Sequence, residues 1–166
     1  ITIPPHFKII GDSAFSGCKN LRTIIFSEKS EIQSIACNAF NECPIEIVKF
    51  SSDFSNIKII EYFTQICTIE NIIIPKNNPH FKFENQLLFN KTNPNSEELD
   101  NLIFSTKNIE IISIPSSIKH INPNCFFKHQ TLTKVEFELN SNLEIIDSYS
   151  FSYTSIENIT IPPHVQ

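Results

Sequence analysis

The 166-residue sequence predicts a β-rich solenoid: a right-handed coil with a parallel sheet on one face, short strands, turns or 3-10 pieces on the other, and one inserted β-hairpin. Three observations predict it. An apolar-x-x-apolar-x-apolar triplet recurs along the chain, an apolar pair followed by phenylalanine trails it at a fixed distance, and the opening phrase ITIPPH returns near the end. Repetition at such a period marks a repeat architecture.

The triplets come first. They are Leu21-Ile24-Phe26, Ile45-Val48-Phe50, Ile69-Ile72-Ile74, Ile109-Ile112-Ile114, Leu132-Val135-Phe137 and Ile156-Ile159-Ile161, separated by steps of 24, 24, 40, 23 and 24 residues. Alternation within each has the period of a strand with one buried face, and a unit of 23 to 24 residues is too small to cover that face alone. Neighbouring coils must cover it, as parallel strands at about 4.8 Å spacing. Proline follows the strand at Pro4, Pro75, Pro115 and Pro162 and stops it.

The trailing elements come next. Phe7-Ile10-Phe15, Ile32-Ile35-Phe40, Ile118-Ile121-Phe126 and Leu143-Ile146-Phe151 share one spacing and fill the interior from the opposite wall. One coil is irregular: Ile57-Ile60 meets Phe63 after three residues, which reads as two residues deleted at that corner. Cys18, Cys43 and Cys67 follow the phenylalanines one coil apart and read as a buried ladder of free thiols. Asparagine, which tolerates left-handed backbone, takes the corners that glycine leaves, since glycine occurs only twice.

The units ITIPPHFKIIGDSAFSGCKNLRT and ISIPSSIKHINPNCFFKHQTLTK resemble the BspA-like leucine-rich repeat, I-x-I-P-x-x-V-x-x-I-x-x-x-A-F-x-x-C-x-x-L. The resemblance implies a leucine-rich-repeat solenoid of about seven turns, with regular repeats over 1–74 and 109–166 and an inserted hairpin segment over 75–108. His129 and Thr154 stand where the pattern has cysteine, Cys125 and Ser150 where it has alanine. In the insertion, NPHFKFENQLLFNK is similar to a hairpin the family often carries, and Leu87-Leu88-Phe89 and Leu102-Ile103-Phe104 are its two apolar runs. The long polar connection between them is either a tolerated surface insertion or a binding loop.

Composition and motifs exclude several functions. The 13 basic residues are scattered, and none combine with aromatic platforms, so nucleic acid is not an expected partner. No apolar run reaches the about 18 residues a membrane span needs. Methionine is absent, so the sequence reads as an excised segment of a longer chain. The five cysteines form no paired metal-ligand spacing, and neither a disulfide, a metal nor a cofactor is expected. His6 and His164 repeat the phrase IPPH, but six coils at about 5 Å each set them roughly 30 Å apart. No nucleophile elbow, phosphate loop or HExxH helix occurs, and the pair Glu97-Glu98 reads as solvated charge, so an enzyme is not expected.

The remaining candidate is surface. The third and fifth positions of each triplet point outward and give Thr23 and Ile25, Ile47 and Lys49, Asn71 and Ile73, Ile111 and Ser113, Lys134 and Glu136, Asn158 and Thr160. Ile25, Ile47, Ile73 and Ile111 form its apolar part, which fits either a protein contact or the plain preference of strands for β-branched residues. The sequons at Asn90 and Asn158 are possible glycosylation sites, with Asn90 favoured because it is expected in the hairpin loop. The family resemblance implies an adhesion module, on the cell surface or secreted, whose ligand is a host, neighbouring-cell or matrix protein. The alternative is a structural spacer or a cytoplasmic scaffold without a ligand of its own.

Overall fold

A computed structural model of the chain describes residues 1–64, 69–93 and 95–165. They form two compact units, Ile1–His80 and Phe81–Gln166.

The first unit is a stack of parallel coils. Strands β1 (Thr2–Ile3), β3 (Thr23–Phe26), β5 (Ile47–Lys49) and β6 (Asn71–Ile73) form one sheet in that order, while β2 (Ile9–Ile10) and β4 (Ser34–Ile35) pair on the opposite wall. Register follows the repeat: Ile24 faces Val48, which faces Ile72, and all three are buried. Each strand is only two to four residues long, so its apolar face is covered by the coils beside it rather than by its own turn.

The third coil departs from the expected pattern. Instead of a strand shortened by a deletion, it carries helix α1 (Ile57–Thr64). The Ile57-Ile60-Phe63 spacing that suits a strand-turn corner also makes a helical stripe, and Ile59 completes it, one turn before Phe63. Asn56 caps the helix by accepting the Lys58 amide on its Oδ1 at 3.1 Å. Ile59, Ile60 and Phe63 are fully buried, and Phe63 packs edge-on against Phe26 and Phe50. Cys67 lies outside the described residues.

The second unit contains β7 (Phe81–Glu84), β8 (Leu87–Asn90), β9 (Asn101–Ser105), β10 (Ile111–Ile114), β11 (His120–Ile121), β12 (Lys134–Phe137) and β13 (Ile145–Ile146). Parallel β10 and β12 continue the triplet pattern, and a bridge from Lys134 to Asn158 adds a further coil. The inserted segment is more than a surface hairpin. Antiparallel β7, β8 and β9 join parallel β11 and β13 in one five-stranded sheet, with Leu87, Leu88, Phe89 and every residue of β9 buried. A strand covered on both faces must be apolar throughout, which is why these two runs do not alternate. The β7–β8 turn uses Asn85 and Gln86, both with positive φ, as a two-residue hairpin requires. The connection from β8 to β9 is tied down where the Thr92 amide and hydroxyl each donate to the buried Asp100 carboxylate at 2.8 Å.

The corners need left-handed backbone at recurring positions, one of them just before the cysteine. Gly17, Glu42, Lys128 and Tyr153, each just before the cysteine position of its repeat, have φ between 58° and 73°. Asparagine takes left-handed backbone at Asn85, Asn124 and Asn140 but not at this position, where the fold forces Glu, Lys and Tyr into a conformation that costs an ordinary residue about 1–2 kcal/mol. The interior expectation fails at Phe7, Cys18 and Ile161, which are exposed. They lie on the outermost coil of their unit, with a neighbouring coil on one side only.

Two stability measurements check this reading. Glu42 is exposed and carries its strain without compensation, so Glu42→Gly should stabilise the chain by about 0.5–1 kcal/mol in urea denaturation, glycine's entropy loss offsetting part of the relief. Phe40 is buried between Phe15, Tyr62 and Phe63, and Phe40→Ala should destabilise by about 3–5 kcal/mol. A loss below about 1 kcal/mol would show that the coils do not stack through this ring.

Candidate functional site

The outward positions of the first unit are ordered by strand register. Thr23, Ile47 and Asn71 pair across one row, and Thr2, Ile25, Lys49 and Ile73 across the next. Ile25, Ile47 and Ile73 therefore do not form one column. They zigzag, Ile25 and Ile73 sharing one row with Lys49 between them and Ile47 lying in the other row between Thr23 and Asn71, and exposure rises from the half-buried Ile25 and Ile47 to Ile73 at 40%.

In the second unit Ile111 pairs with Lys134, which bridges to Asn158, and Ser113 pairs with Glu136. All of these are exposed, as is Thr160, and Ile111 is the largest apolar side chain among them, 57% exposed. Lys134 Nζ lies 2.6 Å from Glu136 Oε1, so the charges of β12 close on each other along one strand face. Beside Ile111 runs a groove of about 420 Å³ between β10 and the β7–β8 turn, with Leu87, Leu99 and Ile112 in its apolar floor and Glu84, Gln86 and Glu138 at its polar margin.

The other sequence candidates find ordinary surroundings. Asn90 is not in the hairpin loop: it ends strand β8, half-buried, and its Oδ1 accepts the Asn101 side-chain amide at 2.7 Å. Of the two sequons, Asn158 is the exposed one. Glu98 and Asp100 both reach Lys119 Nζ at 3.4 Å and Glu97 reaches Lys91 at 3.9 Å, so the acidic loop is paired with nearby lysines. Burial pushes the Asp100 carboxyl up, but Thr92 and Lys119 outweigh it and hold the group below its usual range. His6 sits 3.2 Å from Glu31 and His120 3.3 Å from Asp147. Among the described residues no cluster of three metal-ligating side chains forms, and no helix is long and apolar enough to cross a membrane.

Six copies of the BspA type leucine-rich repeat region match the chain, over residues 1–93 and 61–166. The chain belongs to the BspA-type leucine-rich repeat family. No curated protein sequence matches it. Two solved structures share its fold. The pneumococcal vaccine antigen PcpA is 22% identical with a TM-score of 0.59, all of this chain aligning to 51% of that one. A leucine-rich cell surface protein from Faecalibacterium prausnitzii A2-165 is 17% identical with a TM-score of 0.56, 99% of this chain aligning to 48% of that one. The chain thus spans about half the length of each.

Against the BspA-type pattern, His129 is the departure with the largest electrostatic consequence. It replaces the corner cysteine and is fully buried, packed edge-on against Phe126. Its Nε2–H donates to the Ser105 carbonyl at 3.1 Å, and its Nδ1 has no partner. Burial pushes its pKa down to about 3, the nearby Lys107 ammonium pushes the same way, and the Ser105 hydrogen bond opposes them. Lys107 is held beside it by donating to the Phe127 carbonyl, and burial likewise raises the adjacent Cys125 thiol. The sequence marks His129 only as a residue that stands where the pattern has cysteine. The signal that would have found this site was a titratable group at a position the repeat keeps inside.

The sign of the pH dependence follows. The unfolded chain protonates this imidazole near pH 6.5, whereas the folded chain resists protonation until about pH 3, so stability is lost as pH falls between those values. By pH 5 the loss should reach about 2 kcal/mol. His129→Cys, which restores the residue of the other coils, should remove that share, and urea denaturation of both chains at pH 7 and pH 5 checks it. Equal pH dependence in the two chains would contradict the assignment.

Proposed function

We propose that this chain is a non-enzymatic, protein-binding segment of a cell-surface leucine-rich-repeat protein, whose ligand is a host, neighbouring-cell or matrix protein held against the outward sheet face. The observation that carries this reading is the exposure of large isoleucines at strand positions where alternation calls for polar side chains: Ile73 at 40% and Ile111 at 57%. Apolar area left open on a regular face is the type of surface that a partner desolvates. In the first unit Ile25, Ile47 and Ile73 make the apolar centre, with Thr23, Lys49 and Asn71 around them. In the second, Ile111 and the groove beside it supply an apolar contact flanked by Ser113, Lys134, Glu136, Asn158 and Thr160. Family membership supports a binding role, and the surface location rests on the likeness to a leucine-rich cell surface protein.

One observation favours the spacer reading for part of the chain: the Lys134–Glu136 pair satisfies its own charges and leaves little for a ligand to complement. The two readings separate experimentally. The immobilised chain is exposed to solubilised extracellular-matrix extract, and the retained protein is compared with that held by an Ile47→Asp, Ile73→Asp double variant. Both positions are at least partly exposed, so the variant should keep its circular dichroism and melting point while retention falls about tenfold or more. Lys134→Glu should matter less. Retention by the native chain that survives in the folded double variant rules out the sheet face of the first unit.

A further inference from the structure

Cys18 and Cys43 occupy the same position of successive repeats in the first unit. Main-chain hydrogen bonds of 2.8 Å from Phe15 N–H to the Ala39 carbonyl and from Gly17 N–H to the Asn41 carbonyl clamp the two coils together there. Three residues before each cysteine, the rings of Phe15 and Phe40 stack with centroids 5.2 Å apart and planes within 5°. Equivalent points on the two coils are thus separated by a distance inside the range of about 4.4–6.8 Å that disulfide-bonded Cα atoms span. The two residues also converge on one acceptor: the Cys43 thiol donates to the Phe15 carbonyl at 2.9 Å, and the Cys18 amide donates to that same oxygen at 3.2 Å. Burial pushes the Cys43 thiol up, and the Cys18 side chain is close enough to hydrogen-bond it. Access differs between them, because Cys18 is exposed and Cys43 only 7% so. Cys37 is exposed as well, but it lies on the same coil as Cys43, without that shared acceptor.

We propose that Cys18 and Cys43 are a redox pair that closes a reversible disulfide between the first two coils by exchange with a small-molecule disulfide. The exposed Cys18 thiol loses its proton to solvent and its thiolate attacks one sulfur of the small disulfide, forming a mixed disulfide and expelling one thiolate, which takes up a proton. Cys43, deprotonated in turn, attacks the Cys18 sulfur, forms the intramolecular bond and expels the second small thiol. The two cysteines are oxidised by two electrons, and one disulfide is reduced to two thiols. Order of attack follows exposure: the buried partner cannot meet the reagent but is already beside the mixed disulfide. Closing the bond asks the two β-carbons to reach the separation of about 3.8 Å found in a disulfide, and the outer coil, covered on one side only, is the one that moves.

The test incubates the whole chain, reduced and dilute, with oxidised glutathione and follows intact mass and unreduced peptide maps. The expected result is loss of two hydrogens, one linked peptide pair containing Cys18 and Cys43, full reversal by dithiothreitol, and a rate that rises with pH. Cys18→Ser, at an exposed position, should fold normally, abolish the link and leave Cys43 as a free thiol. In the linked chain, amide hydrogen exchange of residues 1–22 should slow relative to the reduced chain. A lasting glutathione adduct on Cys18 beside a free Cys43 would overturn the proposal, as would a bridge that prefers Cys37, Cys67 or Cys125, or a disulfide-linked dimer in place of the internal bond.

Discussion

Everything in this fold depends on the hydrogen-bonded pitch between parallel coils. A strand of two to four residues cannot bury an apolar face by itself, so each coil is stable only against its neighbours. The pitch shows directly in the ring stacks: Phe15 on Phe40 and Phe26 on Phe50 at 5.2 Å, and Phe126 on Phe151 at 5.0 Å, all with planes within 5°. Flat rings held at that separation are offset rather than eclipsed, the arrangement their quadrupoles favour. Polar groups obey the same spacing. Glu28 accepts from Ser52, Asp12 from Asn38, and the Gln130 carbonyl from Ser155, each pair one repeat apart.

That pitch also decides which parts of the fold are legible in the sequence. The triplets are plain because a strand with one buried face writes its alternation into the chain, and Ile24, Val48 and Ile72 stack where the pattern puts them. The wall opposite is less explicit. Ile57-Ile60-Phe63 satisfies a strand-turn corner and a helical stripe equally well, and only Ile59 and the cap at Asn56 decide for the helix. The hairpin runs are visible, but their continuity as apolar stretches was the overlooked sign that both faces are covered. The left-handed corners carry a residue signal only in places: Gly17, Asn85, Asn124 and Asn140 suit that backbone, whereas Glu42, Lys128 and Tyr153 are held there by the coil and not by preference.

The candidate site is legible in one dimension and not in the other. Alternation along a strand correctly assigns Thr23, Ile25, Ile47, Lys49, Asn71 and Ile73 to the outward side, yet whether isoleucines meet depends on register between strands. Register sets Lys49 between Ile25 and Ile73 and Ile47 between Thr23 and Asn71, which turns an expected ladder into a zigzag. What such a face binds is not written in the fold, because the same solenoid serves any ligand whose shape and polarity its outward residues match.

A further regularity explains how so degenerate a repeat keeps one architecture. At four places where a polar side chain enters the stacked interior, the coil before it offers a main-chain carbonyl. Cys43 donates to Phe15, Asn78 to Phe54 at 2.9 Å, His129 to Ser105 and Ser150 to Asn122 at 3.2 Å, all 24 to 28 residues back. The acceptor comes from the backbone, so it is present whatever the sequence of the preceding coil. Cysteine, histidine, asparagine and serine are then interchangeable there to the extent that each brings one donor of suitable reach, and the cost of burying that donor unpaired is avoided. His129 marks the edge of that tolerance: its second nitrogen finds nothing, and a residue that fits the repeat as a donor remains, as a base, a place where the stacked interior answers to acid.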